Sequence, residues 1–172
     1  MKTILTSTTT KKKTTTKRKS PAKRVKLPPN PFIHEILELA SSQRTKAKKV
    51  DILKEYRDDS LTAVLIWNFD DTVKSAVPEG EVPYKENEVP VGTDHTSLRR
   101  EWKQLYHFIQ GGNNTLSALR RETMFIQMLE GLHPEEAKII CLVKDKRLTE
   151  QFKIIYDMVK EAYPDITWGG RS

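Results

Sequence analysis

The sequence predicts an all-α protein: a single compact helical domain of about six helices, with one long Pro/Gly-rich loop and a disordered basic arm ahead of it. Three observations carry this. Apolar residues recur three and four apart through most of residues 31–172, the period of a helix with one buried face. The segment 77–93, VPEGEVPYKENEVPVGT, holds three Pro and two Gly in seventeen residues, which forbids a long helix there. Charge is segregated along the chain. Residues 1–30 carry ten Lys and Arg and no acid, leaving 20 basic and 23 acidic residues in 31–172. The overall charge of +7 therefore averages a basic arm and a domain of net −3.

In order along the chain, residues 1–30 contain eight Thr and ten cations without an apolar period. They bury too little to offset the entropy of ordering, so disorder is expected. Asn30-Pro31 reads as an N-cap followed by Pro at the first helical position. Ile33, Ile36, Leu37 and Ala40 make the first stripe; Ala47, Val50, Leu53 and Tyr56 the second. LTAVLIWNF, 61–69, has the composition of a buried strand, but no partner strand is evident nearby, so it reads as helix. After the loop 77–93, Leu98, Trp102, Leu105, Tyr106 and Ile109 predict one helix that stops at Gly111-Gly112. Asn114 or Thr115 caps the next, with Leu116, Leu119, Thr123, Ile126 and Leu129 inward and Phe125, Met128 and Leu132 widening that face. Gly131 stops it, and Pro134 opens a helix whose Glu135 and Glu136 sit at its positive end. Thr149 caps a last helix with Phe152, Ile155, Tyr156, Val159, Ala162 and Tyr163 on one side. Pro164 ends it, and Trp168 is placed to dock back.

The domain of 142 residues is large enough for one core without staples. The lone Cys141 excludes an internal disulfide, and its apolar surroundings mark it as a small buried hydrophobe. No apolar run reaches the roughly 20 residues that span a bilayer. MKTILTSTTT is too short in its apolar part for a signal peptide. His34, His95, His107 and His133 show no metal-ligand spacing, and one cysteine makes no zinc cluster. His133 reads as a junction residue making a local backbone bond. Asp58-Asp59 and Asp70-Asp71 fall at helix boundaries, where capping accounts for them. QGGNN lacks the Lys-Ser/Thr of a phosphate loop. No catalytic residue, cofactor or metal ligand is assigned.

Two features are assigned to binding. Lys11, Lys12, Lys13, Lys17, Arg18, Lys19, Lys23, Arg24 and Lys26 suit non-specific DNA or RNA, neutralising phosphate without reading bases. KRKSPAKRVKL also resembles a nuclear-import signal, and a solvated tail is the third reading. Within the domain, Val82 and Tyr84 of the Pro-constrained loop, with Arg99, Arg100, Arg120 and Arg121, form the expected surface for an unidentified protein partner. A solvated face is the plainer account of the Arg pairs.

Three segments, LIWNFDDTVKSAVPEGEVPYKENEVPVG, YHFIQGGNNTLSALRRETMFIQMLEGLHPEEAKIICLVKDKRL and VKEAYPDITWGG, resemble an uncharacterised family of tailed phages, found in T-even-like myoviruses including those of marine cyanobacteria. The resemblance covers residues 32–172 and leaves the arm outside. It implies a small protein in the cytoplasm of an infected bacterium, with no known activity, cofactor or catalytic residue. An import signal has meaning only in a eukaryotic source, where the nucleus is the alternative location. The leading expectation is a non-enzymatic accessory protein with a partner-binding helical domain and a nucleic-acid tether. A structural virion component touching packaged DNA comes second. An enzyme comes third, and needs a pocket gathering His107, Arg120 or an Asp pair.

Overall fold

Helix Pro134–Lys144 lies at the centre of the architecture. The computed structural model describes residues 25–90 and 95–171, so all but one of the arm cations, and the disorder expected there, fall outside it. The helices are α1 (Ile33–Ser42), α2 (Lys46–Glu55), α3 (Asp59–Phe69), α4 (Leu98–Glu101), a 3-10 segment (Trp102–Phe108), α5 (Ala118–Gly131), α6 (Pro134–Lys144), α7 (Leu148–Gln151) and α8 (Tyr156–Ala162). Helix α6 touches α1, α3, α5 and α7; α2 joins α1 to α8. Among the described residues the β-type pairings are two isolated bridges, Ser75 with Ile109 and Thr96 with Leu132. The all-α expectation holds.

Leu61, Val64, Leu65, Trp67 and Asn68 of α3 are buried. A helix apolar on nearly all sides belongs in the middle of a fold, which explains why this run looked strand-like. Its N-cap is Asp58, which accepts from Ser60 N at 2.9 Å. Its C-cap is Asp70. Both Asp pairs are therefore boundary residues, as capping predicted.

The centre of the packing is a buried acid. Glu136 is 0% exposed. Its Oε2 accepts from Ile33 N at 3.1 Å and its Oε1 from Leu98 N at 3.1 Å. One carboxylate thus serves the first residues of α1 and α4 while standing in the first turn of α6. Orphan N–H groups and the positive dipole end favour an anion at each of these places. The expected cap at Asn30-Pro31 is displaced for this reason: α1 starts at Ile33, and the Glu35 carboxylate accepts from Phe32 N at 2.8 Å.

Three predicted helices are shorter than their stripes. The 98–109 stripe divides into α4 and the 3-10 segment. The turn at 111–112 leaves no room for a side chain, since a Cβ on Gly112 would meet the Tyr106 carbonyl oxygen at 1.9 Å. Helix α5 begins at Ser117, whose hydroxyl accepts from Arg120 N at 3.3 Å, not at Asn114 or Thr115. The Asn113 carboxamide instead holds Thr115 N at 3.0 Å in a turn. Leu119 consequently faces outward, 77% exposed, and Phe125, Met128 and Leu129 are the buried positions. Finally, the 149–163 stripe divides into α7 and α8 around an extended stretch. Lys49 Nζ takes the Lys153 carbonyl at 3.0 Å, and Lys153 N donates to Ser41 Oγ at 2.9 Å. These side chains occupy backbone groups a continuous helix would use. Phe152 and Ile154 alternate inward, and Ile155 turns out.

Helix α6 ends in a Schellman pattern: Arg147 N reaches Leu142 O at 2.8 Å and Lys146 N reaches Val143 O at 3.0 Å. The left-handed residue at C′ is Lys146, φ 57°, where glycine is usual. Its amine donates to Trp67 O at 2.7 Å and Asp70 O at 2.8 Å, so tertiary bonds offset the backbone cost of about 1–2 kcal/mol.

Replacing Glu136 by Ala leaves two buried amides unpaired at about 1–3 kcal/mol each, so the unfolding free energy from urea titration should fall by about 2–5 kcal/mol. Glu136→Gln, which keeps one acceptor, should fall between. Equal stability of the Ala variant and wild type would refute the role given to this carboxylate.

Candidate functional site

The loop after α3 is laid onto the domain by α6. Lys144, its side chain 0% exposed, donates from Nζ to Pro78 O at 2.9 Å, Gly80 O at 2.8 Å and Asp145 Oδ1 at 2.7 Å. Asp145 Oδ2 accepts from Gly80 N at 3.2 Å. Gly80 sits at φ 101°, a conformation that suits glycine. All three ammonium protons are engaged, so the buried charge is paired and hydrogen-bonded as burial requires. Beyond the clamp, Val82 and Tyr84 turn inward and pack against the core, while Glu81, Pro83 and Lys85 are exposed. Burial pushes the Tyr84 phenol up to about 12 and raises the Cys141 thiol above its ordinary value. Lys85 N donates to Glu130 Oε1 at 3.2 Å.

The partner residues chosen from sequence are thus divided. Val82 and Tyr84 present part of their surface and anchor the loop with the rest. Arg99 is occupied internally, with Nε on Pro31 O at 2.8 Å and NH1 on Asp58 Oδ1 at 2.8 Å. Arg121 is occupied too, donating to His107 O at 2.9 Å and Asn113 O at 2.9 Å. Arg100 and Arg120 are exposed. Each Arg pair therefore keeps one arginine inside and one outside. Lys26 is the one arm cation among the described residues. Its neighbour Leu27 is tied down, with its amide on the Tyr56 hydroxyl at 3.2 Å.

A histidine cluster escaped the sequence reading. The His34 and His133 rings stack at 4.8 Å, and His95 lies 5.6 Å from His133. Phe32 covers His34 and His133 at 5.4 and 5.0 Å. His133 Nδ1 accepts from Glu135 N at 3.2 Å and so caps α6, the local backbone bond expected of it. The Nδ1 atoms of His34 and His95 are buried without a partner. His95 also pairs through Nε2 with the Val89 carbonyl. The His34 and His133 rings face each other; stacked rings aim their nitrogens past one another, and among the described residues no group of three or more His, Cys, Asp or Glu could hold a metal ion. His107 stands apart, its Nδ1 2.9 Å from Asn113 Nδ2.

A cavity of about 610 Å³ is lined by Phe69, Asp71, Tyr156 and Trp168 among others. Trp168 does dock back, 5.0 Å from Tyr156 and edge-on. Asp70 gathers this tail, accepting from Gly169 N at 3.0 Å, Arg171 NH1 at 2.8 Å and Thr72 Oγ1 at 2.7 Å. Burial alone would raise its carboxyl; these hydrogen bonds win and bring it to about 2.

The fold and sites define a small all-α domain with an ordered, acid-bearing loop and no helix, among the described residues, long and apolar enough to cross a membrane. The chain belongs to a family of unknown function, DUF6433, whose model matches residues 36–150. No curated protein and no solved structure matches it.

Burial lowers both His34 and His133, and the neighbouring His34 and His95 lower His133 further, against the opposing charges of Glu35 and Glu135. Both folded values lie below the unfolded 6.5. The stability they give is complete above about pH 6.5 and is lost as pH falls through the folded values. Glu136 slopes the other way, because burial raises its carboxyl. The reading is therefore the difference between wild type and His133→Asn, which retains a cap. Urea unfolding from pH 7.5 to about 5 should show wild type losing stability faster than the variant. Parallel curves would dismiss the cluster as a titrating element.

Asp70→Asn should loosen residues 167–171 at a cost of about 1–3 kcal/mol, seen as a red shift of Trp168 emission and faster exchange of the Gly169 amide. An unchanged Gly169 amide would refute it.

Proposed function

We propose that this chain is a non-enzymatic accessory protein of a tailed phage, acting in the cytoplasm of the infected bacterium. The helical domain holds a protein partner, and the arm tethers it to DNA or RNA through backbone phosphate. The phage setting rests on the resemblance of residues 32–172 set out above. The observation that carries the tether is where the cations are. Lys49, Arg99, Arg121, Lys144 and Lys146 each donate to backbone carbonyls inside the domain. They are unavailable to a polyanion. Nine Lys and Arg fall within residues 11–26 without an acid between them, so polyanion binding devolves on the arm. Val82, Tyr84, Arg100 and Arg120 supply the partner surface in this reading. The same charge distribution suits a virion component whose arm touches packaged DNA, and high copy number in purified particles would select that version.

Fluorescence anisotropy on a random duplex tests the tether. The full chain should bind with a steep salt slope, roughly 0.9 per neutralised phosphate. The full chain with Lys11, Lys12, Lys13, Lys17, Arg18 and Lys19 all changed to Gln should lose most of that slope. Arg100→Gln with Arg120→Gln should change it by no more than about 2. Equal slopes for wild type and the arm variant would remove the tether.

A further inference from the structure

Under the first half of the loop is an apolar cavity of about 200 Å³, lined by Val77, Pro78, Val82 and Pro83 of the loop and Phe125 and Ile126 of α5. It is smaller than the roughly 300–1,000 Å³ of small-molecule sites and takes a single long side chain. Its remaining lining residues are Glu81 and Glu122, one exposed and one half-buried. Neither carboxylate has a hydrogen-bond or ion-pair partner among the described residues. Two prolines and the Lys144–Asp145 clamp fix its wall, so the cavity exists before anything enters it.

An apolar slot with carboxylates at its edge fits one kind of side chain: a long aliphatic stem ending in a cation, as in Lys and Arg. The surroundings reinforce this sign. The loop exposes Glu79, Glu81, Glu86 and Glu88 against the single cation Lys85. The nearby Lys138 is shared between Glu135 at 3.1 Å and the loop acid Glu86 at 4.0 Å, which leaves Glu79, Glu81 and Glu88 unopposed by it. We propose that this cavity is the docking point of the chain's own basic arm, residues 11–24, so that the arm lies on the domain until a polyanion displaces it. The stem of one Lys or Arg packs on Val82, Phe125 and Ile126, and its head meets Glu81 and Glu122. This deepens the tether reading and rests on it.

The arm is long enough. Each extended residue spans about 3.3 Å, so Lys11 reaches on the order of 45 Å from Val25. A domain of this size has a radius of gyration of roughly 14 Å, so a path of that length reaches most of its surface.

Two measurements on the full chain decide the matter. Methyl NMR of Val82 and Ile126 should show their resonances moving between low and high salt. In the arm variant with six Gln they should already sit at the high-salt positions. Independently, Glu81→Gln with Glu122→Gln should tighten binding to a random duplex at low salt about three- to tenfold, because the competing state is lost. Glu38→Gln with Asp51→Asn removes as much charge from exposed sites on α1 and α2 and should leave affinity within about twofold. Methyl resonances indifferent to the arm substitutions overturn the docking. Shifts that grow with protein concentration overturn it in favour of the arm of a second copy. A failure of the tether reading looks different: the wild-type chain then does not bind duplex at all, while the methyl comparison still reports on the cavity.

Discussion

The carboxylate of Glu136 fixes the geometry from which the rest of the domain follows. It is anionic chemistry placed where three helices begin. Removing an acid from water is unfavourable, and burial raises its carboxyl accordingly. The amides of Ile33 and Leu98 oppose that trend by hydrogen-bonding the charged form. The result sets the angle of α1 and α4 on α6, and α6 in turn carries α3, α5 and α7. Arg99, one residue beyond the amide Glu136 holds, then ties α4 to Pro31 O and to the cap of α3. The order of dependence runs from one acid to α1, α4 and the cap of α3, all distant from it in sequence.

Lysine performs a complementary task at the other helix ends. Lys49, Lys144 and Lys146 each gather two backbone carbonyls onto one ammonium group: Lys49 from Ser41 and Lys153, Lys144 from Pro78 and Gly80 of the loop, Lys146 from Trp67 and Asp70 at the end of α3. C-terminal carbonyls and loop carbonyls lack backbone donors, and an amine on a long stem reaches them where no backbone can. This explains how a short-helixed chain with a long Pro-rich loop keeps its irregular backbone satisfied. It also takes these three cations out of reach of a surface ligand.

Much of the fold was legible because helical periodicity is a local property. The stripes of α1, α2 and α6 come straight from residue spacing, as does Pro134 at the head of α6, whereas α3 reads as helix only for want of a partner strand, and Leu119 and Thr123 of the inward positions chosen for α5 face out. What the sequence hid was non-local. The break between α7 and α8 depends on Lys49 and Ser41 reaching Lys153. The outward turn of Leu119 depends on Asn113 closing a turn ahead of Ser117. The division of each Arg pair depends on which carbonyls lie opposite. The histidine cluster unites positions 34, 95 and 133, and no spacing rule connects them. Of the loop, its irregularity was plain from Pro and Gly, while its anchoring required knowledge of where Lys144 ends up.

The stop signal of α6 couples it to α3. A helix ending in glycine carries its terminator with it and can stop as soon as it forms. Here the terminator is Lys146, which gains its compensation from the carbonyls of Trp67 and Asp70 at the end of α3. The local Schellman bonds close the turn, but the left-handed backbone at a residue with a side chain is offset only where α3 lies alongside. The boundary of this helix is therefore tied to the packing of α3 against it, and a change that loosens α3 loosens the end of α6 as well.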